Sequence, residues 1–386
     1  MKGFFNLSHL SAGFTTVLVG YTSSVVIVIQ AATASGANPA QIESWLLTLG
    51  VVMGLTSILY SWFYKTPIVT AWSTPAAVML AASAGQYSLP VVIGAFMFSG
   101  ALFTLTGMLA PLTRALSKIP VPLGTAMLGA ILLPFCAKAF TPLTDTPALF
   151  ALLFTSYLLA KHFVPRYTML VLLLVSLGSA LALGSFQHAD LALRIATPIW
   201  VMPEFDWLAI LNLALPLYLI TMLSQNLPGI AMLKSYQYDA PIKPILVGTG
   251  LATLMSAPFG GFSVNLAAIS AAICMNEDVD QDKAQRYRAV LWAGGFYLLA
   301  GIFAALVVNL FLALPKPISA MLAGLALLGT LMMCLQSAFK IGEHREPALL
   351  TFVITLSGAT LFGMSATLIG LVIGLAYLRL TTRPRP

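Results

Sequence analysis

The sequence predicts an all-α membrane protein with fourteen membrane segments, arranged as two inverted repeats of seven. Three observations lead to this prediction: the composition, a pair of matching interruptions in the apolar runs, and a one-sided distribution of positive charge. Of the 386 residues, 59% are hydrophobic and only 8% are charged. Soluble domains carry roughly 25% charged residues, so the composition excludes an ordinary soluble protein.

The apolar runs give the order of the segments, because each suits a membrane helix of about 20 residues. The first repeat, residues 1–185, contains predicted segments at 11–34, 44–63, 67–85, 90–109, 122–140, 146–163 and 167–185. A polar linker follows at 186–206. The second repeat, residues 207–386, contains segments at 207–231, 241–257, 261–275, 287–313, 317–337, 347–363 and 365–380. No small-residue cleavage site follows the first run, so we expect it to be retained.

Positive charge tests this count of segments. If the N-terminus is cytoplasmic, sixteen of the 19 Lys and Arg residues fall on the cytoplasmic side, and only Lys138, Arg194 and Lys316 fall outside. This bias predicts a multi-pass protein of the inner (cytoplasmic) membrane, embedded in the lipid bilayer with both termini in the cytoplasm. Because seven is odd, the second repeat must cross the membrane in the opposite sense. The net charge of +7 is scattered singly, which disfavours nucleic-acid binding.

Segments 3 and 10 are interrupted in matching ways, at residues 70–75 and 260–265. Each stretch predicts extended chain followed by a short apolar helix, at 76–84 in the first repeat and at 266–274 in the second. A helix that begins in mid-membrane leaves N–H groups unpaired unless they face a cavity or a ligand. Paired interruptions of this kind indicate a transporter's substrate site. The alternative is a pair of ordinary kinked helices.

Candidate capping residues stand before each short helix: Ser73 or Thr74 in segment 3, and Ser263 or Asn265 in segment 10. At an offset of 190 residues, Ser73 falls on Ser263. The two helix N-termini are expected to face the membrane midplane from opposite sides. Together they provide about one unit of positive potential, which suits a single anionic group such as a carboxylate.

The acidic residues and histidines support an anionic substrate. All twelve acidic residues and all four histidines fall in predicted loops or at segment ends. A cationic substrate would favour a carboxylate at membrane depth, so a small anionic or neutral molecule is expected. The cysteines Cys136, Cys274 and Cys334 lack the spacing of a metal or redox motif and are expected to pack as small hydrophobes. No metal or cofactor is predicted.

A few polar and aromatic side chains are predicted at membrane depth. Tyr21 and Gln30 lie in segment 1, and the adjacent amides Gln225 and Asn226 lie where Ser-Gln-Asn-Leu-Pro-Gly breaks segment 8. A buried amide is either a hydrogen bond between helices or a ligand contact, and for Gln30 both interpretations stay open. Adjacent amides beside Pro-Gly favour a ligand contact.

At these residues the chain resembles the BenE-type benzoate transporters, a family of bacterial benzoate/proton symporters. The matching stretches cover 20–24, 30–32, 71–75, 257–261 and 264–269, and the likeness extends over essentially the whole chain. The resemblance implies transport of benzoate or a similar aromatic carboxylate, with Trp72 and Phe262 contacting its ring. The predicted substrate-binding residues are Tyr21, Gln30, Trp72, Ser73, Thr74, Pro75, Gln225, Asn226, Gly261, Phe262, Ser263, Val264 and Asn265.

The family is similar to the nucleobase and sulfate transporters, which implies two domains that move against each other. The core domain would comprise about 11–109 and 207–313, and the gate domain about 122–185 and 317–380. Short β-strands are implied near 68–72 and 261–264. Nucleobase relatives use acidic residues in segments 8 and 10, where this chain has amides and small residues. Dimers of this fold form through gate surfaces, so a homodimer is compatible with the resemblance.

The predicted function is therefore secondary active import of an aromatic carboxylate, with proton symport implied by the family. The proton would travel with the substrate, as benzoic acid, or on a rim carboxylate such as Glu43 or Glu277. An anion channel, or a carrier of sulfate or another organic acid, is the alternative on the same fold. No nucleophile–base or metal cluster indicates a lipid-modifying enzyme, and no nucleotide-binding loop indicates ATP drive.

Overall fold

The computed structural model describes residues 6–109, 111–112, 116, 119–184 and 194–381. Five residues of the positive-charge prediction lie outside the described residues: Lys2, Arg114, Lys118, Arg383 and Arg385. The first part of the linker also lies outside them, with His188 and Asp190 of the prediction about histidines and acidic residues.

The first predicted repeat folds into helices and one short strand. Its elements are α1 (Leu7–Thr22), α2 (Val25–Ala34), α3 (Pro39–Tyr64), β1 (Thr70–Ala71), α4 (Thr74–Ser83), α5 (Leu89–Met108), α6 (Val121–Lys138), α7 (Pro147–Phe163) and α8 (Thr168–Ala182). A one-turn helix, Pro142–Asp145, lies between α6 and α7.

The second predicted repeat has the same kinds of element. They are α9 (Trp207–Ser235), α10 (Ile242–Ser256), β2 (Asn265–Leu266), α11 (Ile269–Met275), α12 (Tyr287–Ile302), α13 (Ala304–Leu312), α14 (Lys316–Phe339), α15 (Arg345–Ser357) and α16 (Ala366–Thr381). Helix α9 contains two π-helical turns, Ile210–Ala214 and Met222–Asn226. Such turns are rare and occur often at functional sites.

The protein is a mostly helical membrane protein. Among the described residues, seven helices are long and apolar enough to cross a membrane, or nine if each of two bent pairs counts as one span. Two shorter apolar helices, Pro147–Phe163 and Ala366–Thr381, fall below that length. A helix lies in each of the fourteen predicted segments.

Segment 1 is bent where the structure divides it into α1 and α2. The two helices meet at 41°. The hydroxyls of Ser23 and Ser24 both donate to the Gly20 carbonyl, at 3.0 and 2.8 Å. Serine hydroxyls that bond back to the preceding turn compete with the helix ladder, which explains the break at this position.

The helices pack in two groups. In one group α3 and α1 contact α12, and α5 contacts α10. In the other group α6 contacts α14 and α15, and α15 contacts α16. The approach of α3 to α12 needs glycine, since a Cβ on Gly50 would lie 2.6 Å from the Cα of Gly301. Small residues let membrane helices approach closely in this way.

The two interrupted segments meet in a two-stranded antiparallel sheet. Thr70 pairs with Leu266 and Ala71 pairs with Asn265, and the Ala267 N–H donates to the Val69 carbonyl at 2.9 Å. The expected strands in segments 3 and 10 are thus present, and they bring two parts of the chain together that lie almost 200 residues apart in sequence.

The expected position of the second strand was wrong. It lies at Asn265–Leu266 rather than at 261–264, and the short helix after it begins at Ile269 rather than at residue 266. Neither Ser263 nor Asn265 caps that helix, whose N-cap residue is Ala268. The physical reason is that the backbone of Asn265 and Leu266 is committed to pairing with β1, so the helix begins only after the chain leaves the sheet.

Candidate substrate site

N–H groups in or just before both strands donate to side chains of neighbouring helices. In the first repeat, the Thr70 N–H donates to Ser57 Oγ at 3.0 Å, and Ser61 Oγ accepts from the Ile68 N–H at the same distance. In the second repeat, the Val264 N–H donates to Thr253 Oγ1 at 2.9 Å. Hydroxyls of the helix before each strand thus serve the same purpose in both repeats.

These supporting hydroxyls were missed in the sequence. Ser57 and Ser61 lie one helical turn apart in α3, and both are fully buried. Their spacing of four residues places both hydroxyls on one face of the helix. This spacing is the sequence feature that could have identified them within an apolar run. A buried backbone N–H without an acceptor is costly, so these side chains make a strand at membrane depth tolerable.

The beginning of α4 has the predicted cap. Ser73 is the N-cap residue, and its Oγ accepts from the Ala76 N–H at 3.2 Å. Pro75 occupies the first turn, where it removes one unpaired N–H. Among the described residues, the Thr74 N–H has no hydrogen-bond acceptor. This N–H is therefore a donor that remains free to bind a ligand.

The corresponding residues of segment 10 form hydrogen bonds within the protein. Ser263 Oγ lies 3.4 Å from both Thr221 Oγ1 and Asn265 Oδ1. Asn265 Nδ2 donates to the Leu266 carbonyl at 3.1 Å, and the Gly261 N–H donates to the Ser256 carbonyl at 3.0 Å. Ser263 and Asn265 are completely buried. The two interrupted segments therefore differ in the hydrogen-bonding groups that remain free to bind a ligand.

The amide of Asn226 supports β2. Its Oδ1 accepts from the Leu266 N–H at 3.0 Å, and its Nδ2 lies 3.2 Å from Met222 Sδ. Its neighbour Gln225 is half-buried, and the side chain has no hydrogen-bond partner among the described residues. The adjacent amides therefore have different environments, and Gln225 is the one that can still bind a ligand. Gln30 Nε2 reaches the Ser319 carbonyl of α14 at 3.5 Å.

Trp72 lies against the bend of segment 1. Its ring centroid is 5.1 Å from that of Tyr21, and its Nε1 donates to Ser24 Oγ at 2.8 Å. The Tyr21 hydroxyl is buried and has no hydrogen-bond partner in the described part of the chain. A buried polar atom without a partner needs an explanation, and a bound polar ligand would be one.

Phe262 has different surroundings from Trp72. It is fully buried, with ring centroids 6.2 Å from Trp45 and 6.0 Å from Phe96. The equivalent positions of Trp72 and Phe262 in sequence thus do not give them equivalent contacts. Val264 is also buried, and Thr74 is half-buried.

A cavity of about 570 Å³ opens on the side of the molecule where α1 begins. Its lining combines α1, α11 and the turn before α8, and includes Ser11, Thr15, Arg166, Tyr167 and Ala272. Thr15 lies six residues before Tyr21, which is roughly 9 Å along a helix. The cavity therefore approaches the bend of segment 1 from this side.

Asn212, in the first π-helical turn of α9, links this helix to other parts of the chain. Its Nδ2 donates to the Gly363 carbonyl at 2.6 Å and to Tyr87 OH at 3.2 Å. Its Oδ1 accepts from the Ser365 N–H at 2.7 Å. Asn212 thus joins α9 to the turn between α15 and α16, and it is only 6% exposed.

Two ion pairs place titratable groups near the ends of the helices. Glu43 is buried and pairs with Nη2 of Arg194 in the linker. His9 is buried in α1, and its Nε2 lies 3.0 Å from Asp280 Oδ2. His9 lies in the first turn of α1, at a helix end as expected, and its side chain is buried. Glu277 is exposed.

Comparison with known proteins identifies relatives over the full length of the chain. A family model for BenE, the benzoate membrane transport protein, matches residues 3–380. The inner membrane protein YdcO of Escherichia coli K12 is 40% identical over 365 residues, which cover 95% of this chain and 93% of YdcO. A benzoate membrane transport protein of Acinetobacter baylyi is 35% identical over 385 residues, which cover 100% of this chain and 98% of the relative.

Solved structures share the fold at low sequence identity. SLC26A9 matches with a TM-score of 0.67 at 14% identity over 97% of this chain, which spans 65% of the length of that SLC26A9 chain. The transmembrane domain of the cyanobacterial bicarbonate transporter BicA matches with a TM-score of 0.63 at 16% identity. That match covers 96% of this chain and 97% of the BicA domain. The fold is thus one that is known among membrane transporters.

Proposed function

Because this chain belongs to the BenE family of benzoate membrane transport proteins, we propose that it is a secondary active transporter of benzoate or a similar aromatic carboxylate. The observation that carries this proposal is the family match over residues 3–380, which includes both interrupted segments. The family is one of membrane transporters, not of enzymes. The inner membrane is the proposed location, as the name of the YdcO relative also states for that protein.

The proposed position of the carboxylate is beside the sheet, between the beginning of α4 and the residues around β2. The free Thr74 N–H and the unpaired Tyr21 hydroxyl support this position, because both are donors without an acceptor among the described residues. The Trp72 indole would contact the aromatic ring. Gln225 and Gln30 would add lateral hydrogen bonds. Asn226, Ser263 and Asn265 would act mainly by holding the strands.

The proposed membrane topology has fourteen spans, with the core domain at about 11–109 and 207–313 and the gate domain at about 122–185 and 317–380. The two packing groups of helices support this division, since α3, α5, α10 and α12 belong to one and α6, α14, α15 and α16 to the other. The matched hydroxyl supports of β1 and β2 favour an inverted repeat. In this topology the large cavity faces the cytoplasm.

The proposed transport cycle moves the core against the gate. The cytoplasmic cavity is open, while Asn212 joins the two domains on the opposite side. An open cavity on one side and a closed contact on the other is the arrangement expected of an inward-facing state. In the outward-facing state, the Asn212 contacts would break and the cytoplasmic cavity would close.

The decisive experiment is uptake of labelled benzoate into proteoliposomes, with and without an inward proton gradient. A benzoate transporter should concentrate the label, and unlabelled benzoate should compete better than uracil or sulfate. Counterflow into vesicles preloaded with benzoate separates a carrier from an anion channel, because a channel gives no counterflow. Uptake that uracil blocks and benzoate analogues leave unchanged would contradict the proposal.

Proton symport has two candidate routes, and charge-removing variants distinguish them. Benzoic acid with a pKa near 4 is about one part in a thousand protonated at pH 7, which makes co-transport of the proton on the substrate feasible but slow. If a rim carboxylate carries the proton instead, Glu43→Gln or Glu277→Gln should abolish acid-driven uptake and retain counterflow. If both variants keep acid-driven uptake, the substrate route is favoured.

A further inference from the structure

The cytoplasmic cavity contains a cation that the proposed substrate site does not use. Arg166 lies in the turn Pro165–Tyr167, just before α8, and it lines the cavity together with Tyr167. Its guanidinium forms no salt bridge with any carboxylate in the described part of the chain. Across the cavity stand the polar side chains Ser11 of α1 and Asn276, which directly follows α11.

The rest of the lining also favours an anion. Helix α1 begins at the cavity, since Leu7 and Ser8 belong to the lining. Helix α8 begins beside Arg166, and no side chain caps its first turn. Both N-termini contribute positive potential. Among the described residues that line the cavity, Asp278 is the one carboxylate, and the nearby Asp280 is paired with His9.

The lining has apolar walls as well as polar groups. Ala12 of α1 and Ala272 and Ile273 of α11 contribute an apolar surface next to the hydroxyls. A volume of about 570 Å³ falls within the range of roughly 300–1,000 Å³ that is usual for small-molecule sites. Such a cavity suits a flat apolar body that carries one anionic group.

We propose that Arg166 forms a second, cytoplasmic binding site for the aromatic carboxylate, with the carboxylate on the guanidinium and the ring against Ala12 and Ala272. This inference rests on the proposed function and deepens it. Arg166 belongs to the proposed gate, whereas Ser11, Ala12 and Ala272 belong to the proposed core. The site is therefore complete only while the two domains are apart on this side. Closure of the cavity would separate the groups that form this second site, and the substrate would then leave it.

The test compares the two faces of the membrane. Counterflow of labelled benzoate is measured in inside-out vesicles, where the cytoplasmic face is exposed, and in right-side-out vesicles. Two opposite unit charges 4 Å apart attract each other by about 1 kcal/mol in water, which corresponds to roughly fivefold in binding affinity. Arg166→Gln should therefore raise the cytoplasmic KM about fivefold and leave the external KM unchanged. Arg166→Lys should restore much of the difference, although it loses the bidentate geometry.

A matched control is Lys243→Gln, which removes an exposed cytoplasmic charge from outside the cavity lining. It should leave both KM values unchanged. An equal rise on both faces in Arg166→Gln, or an equal effect of Lys243→Gln, would overturn the second site and indicate a general effect of surface charge. An unchanged cytoplasmic KM in Arg166→Gln would overturn it as well.

Two further measurements keep the test informative. If Arg166→Gln does not fold, the salt dependence of the native protein replaces it: the cytoplasmic KM should rise with ionic strength more than the external KM. Equal salt dependence on both faces would overturn the second site. Native protein that shows no benzoate counterflow at all would instead overturn the proposed function, so the two failures are distinguishable.

Discussion

At the scale of single residues, the polar groups of the candidate site divide into two classes. Asn226, Ser263 and Asn265 have hydrogen-bond partners within the protein. The Tyr21 hydroxyl and the Thr74 N–H have none among the described residues. A buried donor without an acceptor costs stability, whereas a satisfied one contributes to it. The two classes should therefore respond to substitution in opposite ways.

Tyr21→Phe should weaken substrate binding without loss of stability. The substitution removes an unpaired hydroxyl and keeps the ring that packs against Trp72. If the hydroxyl binds the carboxylate, the Kd for benzoate should rise about tenfold, the equivalent of a hydrogen bond to a charged group. Thermal unfolding in detergent should show a Tm that is unchanged or higher. An unchanged Kd would exclude the hydroxyl from the site.

Asn226→Ala should destabilise the protein, because it leaves the Leu266 N–H of β2 buried without an acceptor. We expect the free energy of unfolding to fall by about 1–3 kcal/mol. Denaturant titration in detergent measures this loss. Ser224→Ala is a suitable control, since Ser224 bonds only to the Ile220 carbonyl one turn before it. Equal stability of the two variants would contradict the structural role of Asn226.

At the scale of elements, the hydrogen bonds that the described residues form between α9 and the α15–α16 turn involve a single side chain. Asn212 holds the Gly363 carbonyl and the Ser365 N–H from one π-helical turn. In the proposed transport cycle, opening of the extracellular side would require that these two bonds break together. In that cycle, the side chain would set part of the free-energy difference between the inward- and outward-facing states.

Asn212→Ala should shift the protein towards the outward-facing state. Two hydrogen bonds between the moving groups are lost, a change of about 1–3 kcal/mol in the equilibrium. The shift can be followed with Ser11→Cys, whose thiol would line the cytoplasmic cavity, by the rate of reaction with an impermeant maleimide in inside-out vesicles. The native cysteines Cys136, Cys274 and Cys334 are buried, so their background should be low.

The expected result is slower labelling of Ser11→Cys in the Asn212→Ala background. Tyr87→Phe provides the control, because it removes a bond of Asn212 that lies within the proposed core. Its labelling rate should match that of the parent. Faster labelling after Asn212→Ala would mean that the contact does not stabilise the inward-facing state.

At the scale of the whole molecule, the orientation in the membrane decides which end of the cavity the substrate reaches first. The proposed topology places exposed Thr144 outside and exposed Glu343 in the cytoplasm. In intact cells, an impermeant maleimide should therefore label Thr144→Cys and not Glu343→Cys. Both should react after the membrane is permeabilised. The reverse pattern would invert the molecule and place the cavity on the outside.

Much of the architecture could be read from the chain. The composition and the apolar runs predicted a helical membrane protein, and the paired interruptions predicted extended chain in segments 3 and 10, where the family resemblance implied short strands. Ser73 was a predicted cap and is the N-cap of α4. These features depend on local sequence: hydrophobic length, a serine before a proline, and the energetic cost of unpaired N–H groups in hydrocarbon.

The details of the site depended on contacts between distant parts of the chain. Asn226 resembles a ligand contact in sequence, yet its Oδ1 is occupied by Leu266, which lies 40 residues away. Phe262 matches Trp72 in position and packs elsewhere. Helix α11 begins later than expected, because Leu266, the residue expected to begin it, pairs with β1.

The sequence by itself determined that this protein is a helical membrane protein of the benzoate transporter family, with two special segments. Only the tertiary structure decided which polar groups at those segments remain free to bind a substrate. The reason is that hydrophobicity and capping are properties of adjacent residues. The availability of a hydrogen-bonding group depends on whichever partner the fold brings to it.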